Sequence, residues 1–586
     1  MTISLNDFTF SGRADVVDVN DLILIPGGSS VSTLSNDDSI STVYTTNTPT
    51  ITFPERPEAV RDAVFGIYNQ GSFDTSSGND VVIGNVTYTG ESVAVIDGIS
   101  QAFNGANNGF SSANLSTGSG DDRVLGFANS SNSIEIRGIG NLLSSEINTG
   151  EGNDEIKGEA TGNATNGISG ISQNTGLDFP VSNNLITTGN GDDKVIGKVN
   201  NGSSNGDLDG ISQFRGNNQI ITDNGNDQVI GEASGSGGTV TGISSGVGNN
   251  QITTGNGSDE IIGEASGDAS QTLGGIVQAS GSSQIITGGN NDKVIGKANG
   301  NLNAVTFQGA DGQQLNPAIV GISQQGGGQQ ISTENGSDEV RGTASGTATA
   351  SVGGGLVSIV GIVKSDSSIE TGANNDKVIG EASGTADQVA GIVQQGSTDV
   401  ITTGRGDDEV IGTASGSAIT ALAGIAQQPG TAGSQIITGE GNDKIIGTAA
   451  NNAPGITAGI LGDLDINTGA GDDEVVASAT VFGTRIDGFA AANPFSGQGS
   501  VTVDTGSGSD LVKGFGQGSF NGGEGSGDVY DLSEYSFSEF TIAIGAGGNN
   551  EVNFTQTDLV GESTAFTQGF EIFRFADGQL SFSDLA

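Results

Sequence analysis

Thirteen aspartates recur along this chain at one place in a repeated glycine-punctuated stretch, of which TGNGDDKVIG, Thr188 to Gly197, is typical. With the opening Thr as position 1, position 6 is filled by Asp80, Asp122, Asp154, Asp193, Asp227, Asp259, Asp292, Asp338, Asp376, Asp408, Asp443, Asp473 and Asp510, at a mean spacing of about 36 residues. A carboxylate is a hard oxygen donor, so a column of them points to divalent-cation chemistry. Composition removes most other chemistries. The 586 residues include no His and no Cys, which excludes imidazole bases, thiol nucleophiles, disulfides and imidazole or thiolate metal sites. Any metal held here is held by oxygen.

The net charge of -49, from 19 Lys and Arg against 68 Asp and Glu, argues against nucleic acid or an anionic membrane surface as partner. No segment is long and apolar enough to span a bilayer, so no membrane insertion is expected. The amino-terminal MTISLNDFTFSGRADVVDVNDLILIPGG has neither a basic leader nor a long apolar run and does not read as a Sec signal.

The elements that position the aspartates are legible in the flanking columns. Position 8 is Val or Ile in every copy, and the residue two before the Thr is apolar in every copy, from Phe73 to Val503. Both read as inward-facing strand positions on either side of a tight turn. Gly at position 4, replaced only by Asn290 and Asn374, supplies the positive φ such a turn needs. A second landmark lies between copies: GIYN at Gly66, GISQ at Gly98, Gly170 and Gly210, GIVQ at Gly275 and Gly391, GIAQ at Gly424 and GFAA at Gly488. The intervals Asp292 to Gly321 and Asp338 to Gly361 are longer and read as insertions, candidate contact loops. A unit of this size cannot bury a core alone; stacked units can.

Charge tests the stacking. Position 7 runs Arg123, Glu155, Lys194, Gln228, Glu260, Lys293, Glu339, Lys377, Glu409, Lys444, Glu474, and eight of its ten neighbouring pairs are opposite in sign. Such alternation fits one repeat per coil of a parallel β-solenoid, which sets equivalent residues about 4.8 Å apart. The aspartates of position 5, Asp121, Asp192, Asp407 and Asp472, likewise never fall in adjacent copies. Position 6 alone stacks like charges, a repulsion of roughly 1 kcal/mol per pair in water and about 3 to 4 at an effective dielectric of 20. A cation in the column would offset it.

The pattern T-G-x-G-x-D-x-[VI]-x-G resembles the nonapeptide repeat of hemolysin-type calcium-binding (RTX) proteins. The resemblance covers about residues 75 to 586. It implies Ca2+ held by the position 6 carboxylates, and by Asp528 in the degenerate repeat GGEGSGDVYDLS, with carbonyls from positions 1 and 3 such as Thr188 and Asn190. The chain departs from the family in carrying one copy per coil, and Thr rather than Gly at position 1 in all thirteen copies. The carboxyl-terminal FEIFRFADGQLSFSDLA, Phe570 to Ala586, is similar to the region of RTX proteins read by type I secretion machinery. Together these imply a protein that stays unfolded at low cytosolic calcium and folds outside the cell as the ion binds.

The expected fold is all-β, a parallel β-solenoid of about 13 coils with one RTX-like turn per coil and capped ends. Its parts are an amino-terminal cap (1–72), the repeat solenoid (73–516) and a carboxyl-terminal cap carrying the secretion region (517–586). Phe is sparse between Phe214 and Phe482 and common at both ends, as caps require. The expected function is a secreted, calcium-binding structural protein of the cell surface or matrix, not an enzyme, that self-associates into a layer or fibre. Position 9 carries that expectation, being Ile, Leu or Val in ten of thirteen copies, either as an outward apolar stripe or as the covered face of a strand buried on both sides. An adhesin or carbohydrate-binding module with a surface polysaccharide as partner is the alternative. A polysaccharide lyase or epimerase is the least favoured, because no irregular cluster of ionisable groups supplies a base.

Overall fold

The computed structural model describes residues 3–585 apart from 9, 11–12, 53–61, 92, 102–111, 175–182, 305–317, 351–355, 429–432, 491–499, 546–548 and 558–561. Much of the two insertions after Asp292 and Asp338 lies outside the described residues. The chain forms two compact units, Met1–Val305 and Thr306–Ala586. Each is a parallel β-solenoid in which coils pair in register.

A coil of the first unit shows the construction. Leu185–Thr187 is a short strand whose central Ile186 is fully buried. The turn Thr188 to Asp193 follows, then Lys194–Ser204, in which Val195, Gly197 and Val199 point inward and the intervening residues outward. The return strand Asp207–Phe214 carries GISQ and buries Leu208 and Ile211. The next coil repeats each part: Ile186 pairs with Ile220, Val195 with Val229 and Ile211 with Ile243. In the second unit Val378 pairs with Val410, and Ile401 with Ile436. Alternation of small or branched apolar residues with polar ones makes the strands; in-register stacking of identical residues makes the core.

The paired glycine landmarks narrow the coil. A Cβ on Gly197 would lie 2.1 Å from the Gly210 carbonyl oxygen, and one on Gly210 would lie 2.3 Å from the Glu232 backbone nitrogen. The two walls meet there backbone to backbone, so neither glycine has room for a side chain.

The ends close differently. The segment 1–72 pairs onto the coils in parallel, Ser39–Thr46 on Val81–Tyr88 and Val16–Val19 on Ser39–Thr46, over a cluster that includes Leu22, Phe65, Tyr68, Leu142 and Leu143. At the carboxyl end, Thr541–Ile544, Val552–Thr557 and Glu562–Gln568 form an antiparallel meander. Buried Phe520, Tyr530, Phe554, Phe570 and Phe573 fill the space beneath it. Aromatic residues thus gather where stacked coils would otherwise end on an open core.

Candidate functional site: the aspartate column

All fourteen aspartates proposed as ligands turn inward and are at most 2% exposed. Within each unit they stand in a column. In the first, the Oδ1 atoms of Asp80, Asp122, Asp154, Asp193, Asp227, Asp259 and Asp292 accept the backbone N–H of Asp38, Asp80, Asp122, Asp154, Asp193, Asp227 and Asp259 at 2.7–2.9 Å. In the second, Asp376, Asp408, Asp443, Asp473, Asp510 and Asp528 accept the N–H of Asp338, Asp376, Asp408, Asp443, Asp473 and Asp510 at 2.8–2.9 Å. The backbone N–H of Asp528 donates to Glu571 Oε2 at 3.0 Å, which ends the column.

Two members were not anticipated from sequence. Asp38 opens the first column from within the segment read as a cap. Its stretch TLSNDDSIST keeps the Thr, the Asp pair and the apolar position 8 but has none of the glycines, and Leu34 and Asn36 take positive φ instead. Glu571 does the work of an aspartate one methylene longer, with Phe573 at the core position paired to Tyr530.

The second carboxylate oxygen faces the Thr of its own turn. Thr222 shows the arrangement, its hydroxyl donating to Asp227 Oδ2 at 2.7 Å with the Thr254 carbonyl at 3.4 Å as alternative acceptor. The hydroxyls of Thr75, Thr117, Thr371, Thr403, Thr438 and Thr468 reach the carbonyl of the following Thr at 3.1–3.5 Å. In these six coils the hydroxyl turns to the carbonyl above it, and the buried Oδ2 atoms of Asp80, Asp122, Asp376, Asp408, Asp443 and Asp473 have no hydrogen-bond partner among the described residues. Burial raises the carboxyl pKa of every column member that shifts, against the hydrogen bonds that lower it. Asp80, Asp193, Asp443 and Asp510 are pushed up to about 6, Asp154 and Asp227 to about 7, and Asp376 to about 8.

A Ca2+ ion requires six to eight oxygens at about 2.3–2.6 Å. Of the donors that the RTX resemblance implies, one carboxylate oxygen and the turn carbonyls are engaged within the protein, while the Oδ2 of most column members, Asp154 and Asp193 among them, is not. Position 6 Oδ1 accepts a backbone N–H, and the position 3 carbonyls of Asn190, Asn224 and Asn256 accept the N–H of Gly152, Gly191 and Gly225 at 2.8–2.9 Å. The position 1 carbonyls face threonine hydroxyls. Thr at position 1 fills the turn where a glycine would leave space, and successive turns touch, since a Cβ on Gly189 would lie 1.8 Å from the Gly150 carbonyl oxygen. Among the described residues no group of three or more Asp and Glu converges on a point that could hold a metal ion. The turn as built does not fit a calcium ion held in the manner the resemblance implies.

Position 5 forms a second, exposed ladder. Its alternating Asp and Asn side chains accept the neighbouring backbone N–H through Asp37, Asn79, Asp121, Asn153, Asp192 and Asn226 at 2.8–2.9 Å. On the long strands the charge columns are paired as expected, Arg123 with Glu155 at 2.9 Å and Lys377 with Glu409 at 2.9 Å. Position 11 adds another such column, with Lys297 on Glu264 at 2.8 Å. Between these two columns lies position 9.

No family model, curated protein or solved structure matches the chain.

Proposed function

We propose that this chain is a structural protein of the cell surface or extracellular matrix that associates with further copies of itself through the outer face of its long strands. The observation that supports this reading is the position 9 column. In the first unit Ile196, Ile230, Ile262 and Ile295 are register partners, each partly exposed on the side opposite the core residues Val195, Val229, Ile261 and Val294. In the second unit Ile379, Ile411, Ile446 and Val476 are register partners in the same way, the last three partly exposed and Ile379 buried. One partly exposed isoleucine is ordinary; four in register make a strip whose covering removes apolar area from water.

The flanking position 7 column favours a second copy as the cover. Its signs mostly alternate, so an identical face displaced by one coil presents opposite charges beside the apolar strip. The carboxyl-terminal likeness to type I secretion regions supports an extracellular site of action. No helix among the described residues is long and apolar enough to cross a membrane.

Sedimentation velocity on the full chain, with negative-stain electron microscopy, is the test. The wild type is expected to sediment above the monomer and to form sheets or filaments. The double variant Ile230→Lys, Ile262→Lys is expected to remain monomeric with an unchanged far-ultraviolet circular dichroism spectrum. A wild type that stays monomeric up to its solubility limit rules the reading out.

A further inference from the structure

We propose that the aspartate–threonine column is a metal-free hydrogen-bond ladder that joins the coils in place of a bound calcium ion. The choice of side chain in each buried ladder supports this. At the far corner of the coil, Asn184 Nδ2 donates to Asn218 Oδ1 at 2.8 Å and Asn218 Nδ2 to Asn250 Oδ1 at 2.9 Å. In these three coils each side chain both gives and receives, which an amide can do, while Asp399 at the equivalent place accepts the Ser367 N–H at 3.0 Å. In the position 6 column a donor is already present, a backbone N–H toward Oδ1, joined at Asp38 and Asp227 by a threonine hydroxyl toward Oδ2. A side-chain oxygen that accepts suits that place, and it need not be ionised to do so.

The two ends of the chain's columns follow the same rule. Asp38 joins through its own N–H to Asp80, and its Thr33 hydroxyl donates to its Oδ2 although the turn has lost every glycine of the calcium-type pattern. Glu571 closes the second column by accepting both the Gly527 and Asp528 N–H at 3.1 and 3.0 Å, in a stretch with no resemblance to the repeat. What persists from coil to coil and at both these ends is a backbone N–H donating to a carboxylate oxygen. The glycine spacing of the calcium-type turn is lost at these two ends.

The experiment is thermal unfolding of the full chain by circular dichroism, in EGTA, in calcium and in magnesium, with metal content measured by plasma mass spectrometry after dialysis. The expected result is one midpoint in all three and no retained stoichiometric metal. A midpoint that falls in EGTA and is restored by either cation overturns the proposal, as does retained calcium. Two variants test the acceptor role directly. Asp193→Asn keeps an oxygen for the Asp154 N–H and is expected to melt with the wild type or above it, whereas Asp193→Ala removes the acceptor and is expected to melt lower. An Asn variant that falls as far as the Ala variant also overturns the proposal. Self-association is read separately, so a monomeric protein with a calcium-independent midpoint would separate the two proposals.

Discussion

Position 2 of the turn shows what a single residue costs. Gly118, Gly150 and Gly189 adopt φ of 95°, 92° and 87° there, and the same left-handed geometry is imposed on Ser76, Asp223 and Glu334 at 72°, 63° and 62°. A side chain in this region costs about 1–2 kcal/mol, partly offset by the extra entropy a glycine loses on folding. Glu334→Gly and Asp223→Gly are each expected to stabilise the protein by about 0.5–1 kcal/mol, read as a higher urea midpoint. Position 4 was legible from sequence because its substitutes, Asn290 and Asn374, are residues that tolerate positive φ, and both adopt it, at 86° and 85°. Position 2 was not, because Ser, Asp and Glu carry no such signature. The stacked aspartates show what a sequence leaves out. A repulsion computed between bare charges ignores the donors each carboxylate meets once its side chain turns inward.

At the scale of the strand, the alternating signs of position 7 disclosed parallel in-register stacking before any geometry was known. Lys377 lies between Glu339 and Glu409 in register and bonds Glu409 at 2.9 Å. Lys377→Glu would place three like charges in a row. Because these side chains are partly exposed, the expected loss is modest, about 1 kcal/mol at low ionic strength and less in molar salt, measured by denaturation in both. The coil's narrow waist was harder to read. Gly197 and Gly210 appear in sequence as turn formers, yet both lie within extended strands, and what they permit is contact between two walls. Nothing in a one-dimensional pattern pairs the glycine of one strand with that of another. The shared requirement becomes visible only when the coil closes.

For the whole molecule, the buried carboxyls link stability to pH in a direction opposite to that of a salt-bridged surface. Burial sets the folded-state pKa values above the ordinary carboxyl value, reaching about 7 for Asp154 and Asp227 and about 8 for Asp376. Between the two values the folded protein holds more protons than the unfolded chain, so falling pH stabilises it. That contribution is complete below the unfolded carboxyl pKa and is lost as pH rises through about 6 to 8. The melting temperature is therefore expected to rise as the buffer is taken from pH 8 to pH 5. A melting temperature that falls over this interval would show that the column is fully ionised in the folded state. Net charge acts in the same sense, since protonation also reduces the -49 carried at neutrality.

The ladders have a consequence for inheritance. Each coil of the first unit bonds to its neighbours through equivalent atoms, and Asp227 and Asp259 stand 32 residues apart with their backbones in the same place. An in-frame loss of residues 228–259 would leave the Asp227 N–H facing the carboxylate of Asp292, and Lys194 beside Glu260. No bond type would be missing, and the signs along position 7 would still alternate. Such a gene can lengthen or shorten its product by whole coils through unequal recombination, with selection acting on length while the chemistry of every junction stays the same.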